Sequence, residues 1–507
     1  MRSAWTPGPV STTRRWICLG LLGALLAVLL VRAVGVFHDF AATIRFPFEL
    51  EYGEGIVWQQ AALIPGPHMY GASQDLPFIV FNYPPLYYLL ARAALSIEPS
   101  FLAAGRLVSA LGAVLIALSV AALVRISARG GGRPIARAEW AIALATGLLV
   151  LRLYTVHDWS LLMRVDMAAI ALSMLGLLAG ALANGRFWGT TAALLVCVAA
   201  VFAKQTQLPA GAAVFLIALM RNPRGALGAA AIAGLVGLAE LGLMQWLTDG
   251  GFLLNIVGYN INRYSLLHAY QLFLAEERAN LPFMALMPIA AVAIVLGLYG
   301  QPPAERQADR ATTARLMVLT HFTLASLMLL FAGKSGANSN FFLDSDCVGC
   351  VLIGVMLCDL VGAEWRSSVA ATPPILALMI LGVLILPQRD IPDAALEQQL
   401  IPMTALLSRV AAATKPVASE DMTLLMRAGK PLLFEPAIVT ELATLGRWDE
   451  GPLVAMIRSG GFAFMITTDN TLGGSERRTP AVDAAMREAY PRVEQPTPFL
   501  WLHLPPN

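Results

Sequence analysis

The chain has 507 residues, of which 57% are hydrophobic and only 13% charged, with a formal charge of +2 and a mean hydropathy of +0.66. Water-soluble globular proteins of this size carry far more charge, so the composition assigns most of the chain to lipid. Its 35 Lys and Arg residues are scattered in short segments between apolar runs, and without a basic patch nucleic acid is excluded as a partner.

The first apolar run, Trp16 to Val36, follows Arg14 and Arg15. It is longer than a signal h-region of about 7 to 15 residues and no clear small-residue cleavage site follows, so it reads as a retained first span. Further spans are expected at 101–124, 139–155, 167–184, 188–203, 209–220, 226–248, 282–299, 316–332, 346–362 and 369–387, eleven in all. With the N-terminus inside, the cytoplasmic segments hold 14 basic residues in 59 positions and the outer segments 7 in 126. That asymmetry satisfies the positive-inside rule.

Parity decides two ambiguous stretches, because one extra span would invert every later loop. Tyr83 to Ile97 is apolar, but counting it as a span would move Arg125 to Arg137 outside. It is expected instead to lie at the outer interface, started by Pro84 and Pro85. Trp188 to Met220 places two spans in 33 residues, about 25 Å per helix at 1.5 Å per residue. Both must be short, and their turn Lys204-Gln205-Thr206 must sink below the membrane surface, lining protein or a water-filled cavity.

The fold expected is therefore an all-α polytopic membrane protein with about eleven transmembrane helices over residues 1–387, followed by a soluble domain at 388–507. The latter gains charge and proline and has no run of spanning length. Patterns such as KPLLF and GFAFMITTD beside AVDAAMREAY suggest a small α/β module. Eleven preceding spans put it in the periplasm of a bacterial inner membrane. The main outer loops are 37–100, 156–166, 249–281 and 333–345.

Those loops carry the candidate chemistry. The first reads FELEYGEGIVWQQ, with Glu49, Glu51 and Glu54, followed by NYPPLYY with Tyr83. On a helix, Glu51 and Glu54 share one face at i, i+3 and can share a metal, a sugar hydroxyl or a proton; solvated loop acids are the plain alternative. The second reads YTVHDWSLLMRVD, with His157 and Asp158 ahead of Arg164 and Asp166 at the head of a span. An Asp at a helix N-terminus beside an Arg stays ionised, as a general base or hydroxyl acceptor must. Lys204 is the most costly charge in the chain, about +2.5 to +3.5 kcal/mol for a Lys at a helix centre, and a phosphate is its natural partner, with Arg164 as a second contact. The fourth loop, GKSGANSNFFLDSD, adds Lys334, Asn338 and Asn340 as donors. Residues 249–281 can form a lid or an acceptor surface. Cys347 and Cys350 form a CxxC without two further ligands nearby and read as packed thiols. No nucleotide or hydrolase signature occurs, which argues against ATP-driven transport.

Taken together, YGEG, YPPLYY, RVD, AKQT and GKSGANSNFFLD, over roughly residues 16–362, resemble the polytopic GT-C superfamily of glycosyltransferases. The likeness is greatest to the branch containing bacterial lipid A aminoarabinose transferases, rhizobial lipopolysaccharide core transferases and, more distantly, protein O-mannosyltransferases. The resemblance implies a polyprenyl-phosphate sugar donor, an envelope glycan, lipid or protein acceptor, and transfer on the periplasmic face with inversion. It places Glu54 as the first-loop carboxylate and Asp166 as the second-loop aspartate. Many relatives have an Asp-Glu pair where this chain has Gly53 and Glu54, and Glu51 is the candidate for the missing acid. Lys204, Arg164 and Lys334 are then the phosphate-binding set, and Tyr83, His157, Asp158, Asn338 and Asn340 the substrate-binding set. A divalent metal is optional in this scheme, since the acids can coordinate one or act directly. The alternative is a transporter or flippase for a lipid-linked or small polar solute, which calls for helices broken at mid-membrane and for internal symmetry.

Overall fold

The computed structural model describes residues 12–129, 133–299, 309–366, 372–387, 393–470 and 475–506; Arg2 and Arg306, which carry part of the expected inner charge, lie outside the described residues. In chain order the membrane part consists of α1 (Thr12–Arg45), α2 (Gly53–Leu63), α3 (Leu86–Ala94), α4 (Phe101–Ser127), α5 (Arg133–Arg152), α6 (Tyr154–Ser160), α7 (Asp166–Ala183), α8 (Phe187–Ala203), α9 (Pro209–Arg221), α10 (Pro223–Leu247), α11 (Gly251–Ile256), α12 (Leu266–Asn280), α13 (Phe283–Tyr299), α14 (Arg310–Met328), α15 (Leu343–Arg366) and α16 (Thr372–Ile385). Among these, eleven helices overlie the eleven expected spans. Six (α1, α4, α7, α10, α14 and α15) are each long and apolar enough to cross a bilayer. α5 and α13 are long and apolar enough only when joined to α6 and α12, from which they bend by 66° and 91°, while α8, α9 and α16 are shorter apolar helices.

Local chemistry sets many of the helix ends. Pro209 and Pro223 open α9 and α10 at the first helical turn, where a missing N–H costs nothing. Asn222 accepts from Gly225 N at 3.1 Å to cap α10, and Asn184, at φ 48°, closes α7 in the left-handed conformation that releases the last carbonyls. α7 packs between α4 and α8, and α15 packs against α5 and α13. Leu235, Leu238 and Trp246 on α10 are exposed, as only a lipid-facing helix allows. α3 is nine residues long, too short to span, as its interfacial placement requires.

Two boundaries differ from the sequence reading. α1 continues to Arg45 because Val36, Asp39, Phe40 and Thr43 extend its buried stripe at helical spacing, so the start of loop 37–100 is helical. Arg315, expected in an inner loop, lies inside α14, where it is buried and donates twice to Asp359 at 2.7 Å; a paired guanidinium can enter a helix that an unpaired one would end outside the membrane.

The C-terminal domain holds α17 (Asp393–Ala412), β1 (Ala418–Ser419), α18 (Met422–Arg427), α19 (Pro436–Thr444), α20 (Gly451–Arg458), β2 (Met465–Thr467), α21 (Pro480–Ala489), β3 (Arg492–Thr497) and β4 (Leu500–Leu504). Its four strands run β1-β2-β4-β3, with β1 parallel to β2 and the other pairs antiparallel. This is the small α/β module expected, with one correction. The KPLLF segment is not a sheet strand: Phe434 bridges to Phe78 of the first loop instead, and Leu433 O accepts from Phe78 N at 2.7 Å. Phe78 also stacks on Trp448 at 5.4 Å and 10°, so the domain packs directly on loop 37–100.

Candidate active site

The loop charges do not form one solvated cluster; they are sorted by burial. Glu54, in the first turn of α2, is fully buried against Arg106 of α4. Arg106 Nε and Nη2 donate to its two oxygens at 2.8 and 2.7 Å, and the amides of Leu50 and Met163 donate to them at 2.7 Å each. The rest of the guanidinium reaches the carbonyls of Thr43, Phe46 and Phe48. Burial alone would raise the Glu54 carboxyl, but Arg106 and the two amides more than offset it and hold it below the ordinary carboxylate range. Glu54, the first-loop carboxylate of the resemblance, therefore fastens α1, the first loop, α4 and the second loop together and has no open face. Arg106 went unnoticed in the sequence because it sits in an apolar span; a charge there is itself the signal that should have found it.

Glu51, by contrast, keeps 30% of its side chain exposed and accepts from Arg164 Nη1 at 2.8 Å. Arg164 lies 4.9 Å over the Trp159 ring and does not pair with Asp166, contrary to expectation. Gly53 explains how the guanidinium enters the first loop. A Cβ on Gly53 would lie 1.3 Å from Arg164 Nη1, so any side chain at the position where relatives are expected to carry an Asp would displace the guanidinium from its present place.

Asp166, at the first residue of α7, is held by Lys204 Nζ at 2.5 Å and by Asn340 Nδ2 at 3.0 Å. Lys204 ends α8 at the break before α9, buried as its deep turn required, and lies 5.5 Å from the Phe341 ring. Lys334 is half-buried, with backbone hydrogen bonds to Phe331 and Ala337; burial and then the nearby Lys204 charge lower the affinity of its amine for a proton. Tyr83 lies close enough to Arg164 to couple with it electrostatically, and its carbonyl accepts from Tyr70 Oη at 2.8 Å.

The remaining candidates are placed elsewhere. His157 is buried on α6 with Nε2 at 3.0 Å from Asp39 of α1, facing the bundle, and Asp158 is half-buried on the same short helix. Asn338 is exposed and uses its side chain on Ser339 N at 2.7 Å. Cys347 and Cys350 are buried free thiols. Among the described residues no group of three or more His, Cys, Asp or Glu is arranged to hold a metal ion, so no step is assigned to one.

Beside the Lys204 turn lies an apolar cavity of about 540 Å3, bounded by α8, α9 and α10. Val198, Val201, Phe215 and Leu238 line its membrane part, while Pro84, Gln205 and Gln207 form its polar end. Gln205 is fixed by donating to Asn82 O at 2.9 Å, and Gln207 by accepting from Ser173 at 2.9 Å. The arrangement offers an apolar space that adjoins the Lys204 turn at Gln205.

No family model matches the chain, and no curated protein does. Among solved structures it is similar to ArnT from Cupriavidus metallidurans bound to undecaprenyl phosphate, with a TM-score of 0.55 at 15% identity over 88% of this chain and 93% of that one. The apo state of the same protein gives 0.54 at 14% identity, with the same coverage of both chains. At this identity the likeness is one of fold. The polytopic fold expected from the loop motifs is the fold of the chain.

Proposed function

We propose that this chain is a multi-pass membrane glycosyltransferase that moves a sugar from a polyprenyl-phosphate donor to an envelope acceptor on the periplasmic face. The observation that carries the reading is the apolar cavity ending at the Lys204 turn, a shape that suits a lipid tail with a phosphate at its head. The shared fold with a protein solved with undecaprenyl phosphate supports the same donor class. The excess of basic residues in the segments opposite the site supports an N-terminus inside and a C-terminal domain outside.

In this reading Lys204 and Lys334 bind the donor phosphate, and Asp166 with Asn340 aims Lys204 without neutralising all three of its N–H donors. Glu51 is the accessible carboxylate and takes the proton of the acceptor hydroxyl or amine. The acceptor atom then bonds to the anomeric carbon, the bond from that carbon to the phosphate oxygen breaks, and polyprenyl phosphate leaves with its new charge stabilised by the lysines. A single displacement inverts the anomeric centre. Glu54, sealed on Arg106, is a positioning residue.

Purified protein in nanodiscs, given radiolabelled polyprenyl-phosphate sugars and membrane acceptors, tests this. Glu51→Gln should lower transfer by about 10²- to 10⁴-fold, the usual contribution of a general base. Unchanged transfer would remove Glu51 from the mechanism. Absence of transfer by the wild type with every donor would return the transporter.

A further inference from the structure

The C-terminal domain does more than lie over the first loop. Residues 47–55, which carry Glu51, are gripped from the domain side at five successive points. Arg427 donates to Pro47 O at 2.8 Å and lies 4.6 Å over the Phe48 ring. Tyr52 donates its hydroxyl to Glu435, the residue that caps α19 through Ala437 N and Ile438 N. Arg477 lies 3.9 Å over the Tyr52 ring. Glu49 is within hydrogen-bonding reach of Asp421, which caps α18. A Cβ on Gly55 would meet Met422 Cβ at 2.8 Å, so loop and domain touch without a gap.

We propose that the C-terminal domain is a positioning element for the first loop, in which Glu435 and Arg477 fix Tyr52 and Asp421 fixes Glu49, so that Glu51 is held on Arg164; and that this seam is closed by one proton shared between Glu49 and Asp421. The positioning role rests on the glycosyl-transfer reading; the protonated seam does not. Two carboxyls can hydrogen-bond each other only if one of them carries a proton, and Glu49 Oε2 is buried with no other partner. The charged groups facing the pair are Glu51 and Glu54 from the first loop and Arg477 and Arg427 from the domain, and Glu54 is already neutralised by Arg106. Burial first, then Asp421, raises the Glu49 carboxyl well above 4.5, and burial raises Asp421 above 3.8. A closed seam thus binds its proton more tightly than an open one. Closure is fully supported below the ordinary carboxylate range, weakens as pH rises above it, and is lost once pH passes the raised values.

Hydrogen exchange of the full chain in nanodiscs, corrected for intrinsic rates, reads the seam without any substrate. As pH rises from the ordinary carboxylate range through the raised values, the wild type should lose roughly tenfold or more of its protection in peptides covering 47–55 and 418–437, whereas Glu49→Gln, whose amide N–H donates without titrating, should keep it. Tyr52→Phe and Glu435→Gln should each lower kcat for transfer by about tenfold, leave KM for the donor unchanged, and loosen 47–55 at every pH. Identical exchange by wild type and Glu49→Gln across the range would overturn the shared proton. Unchanged kcat and exchange in both Tyr52→Phe and Glu435→Gln, in a protein that Glu51→Gln inactivates, would overturn the positioning role. If the wild type transfers nothing, the functional reading fails while the exchange data still decide the seam.

Discussion

At the scale of single residues, burial separates carboxylates that look alike in sequence. Glu51 and Glu54 are three positions apart, yet one is open beside Arg164 and the other saturates its oxygens on Arg106 and two backbone amides. Arg106→Ala would leave a buried carboxylate unpaired and should cost about 3–5 kcal/mol, measured as a large loss of thermal stability in detergent. Gly53→Ala should behave differently. The atoms that a Cβ meets belong to the far end of the Arg164 side chain, which can swing away, so the melting temperature should hardly change. Transfer should nevertheless fall by up to about 10²-fold, because Glu51 loses the partner that orients it. A mutant that unfolds would show instead that Arg164 cannot move.

Among the elements, the short pair α8 and α9 matters most. Seventeen and thirteen residues long, they cannot together reach both surfaces as full-length spans, and the deficit buries the Lys204 turn inside the protein. The turn tolerates its cation because Asp166 at the start of α7 meets it at 2.5 Å. Lys204→Met should weaken donor binding more than it destabilises the fold, raising KM for the lipid-linked sugar while a soluble acceptor's KM stays constant. An equal change in both constants would place Lys204 outside the phosphate site. The same α8–α10 region carries the apolar cavity, so a bulky residue such as Ala233→Trp should block long-chain donors and spare those with shortened tails, as a direct competition assay can read.

For the whole molecule, the junction between the membrane part and the C-terminal domain is built from stacked rings as well as charges. Phe78 lies against Trp448, whose Nε1 donates to Gln74 O at 2.9 Å, and on the far side Arg263 pairs with Glu441 at 2.8 Å. Trp448→Ala should cost about 3–5 kcal/mol in domain docking, seen as proteolytic release of the domain with the bundle still folded. Arg263→Ala should cost under about 1 kcal/mol, because the guanidinium is exposed and the buried Glu441 keeps Arg263 N and Ser335 Oγ as donors.

Composition and hydropathy determined the membrane class and, with charge parity, the places of the eleven apolar helices, because lipid demands runs of apolar residues that no other environment requires. Charge counting grouped the first, second and fourth outer loops with the Lys204 turn, and contacts such as Arg164–Glu51 and Asn340–Asp166 join those segments. Which acid is open, which cation each acid meets, and what the C-terminal domain touches were decided only by the tertiary structure. Those outcomes depend on approach distances between segments far apart in the chain: Gly53 makes room for Arg164, Arg106 draws Glu54 inward, and Tyr52 reaches Glu435. A local pattern of charges reports none of these distances, since burial and pairing are properties of the neighbours that folding brings together.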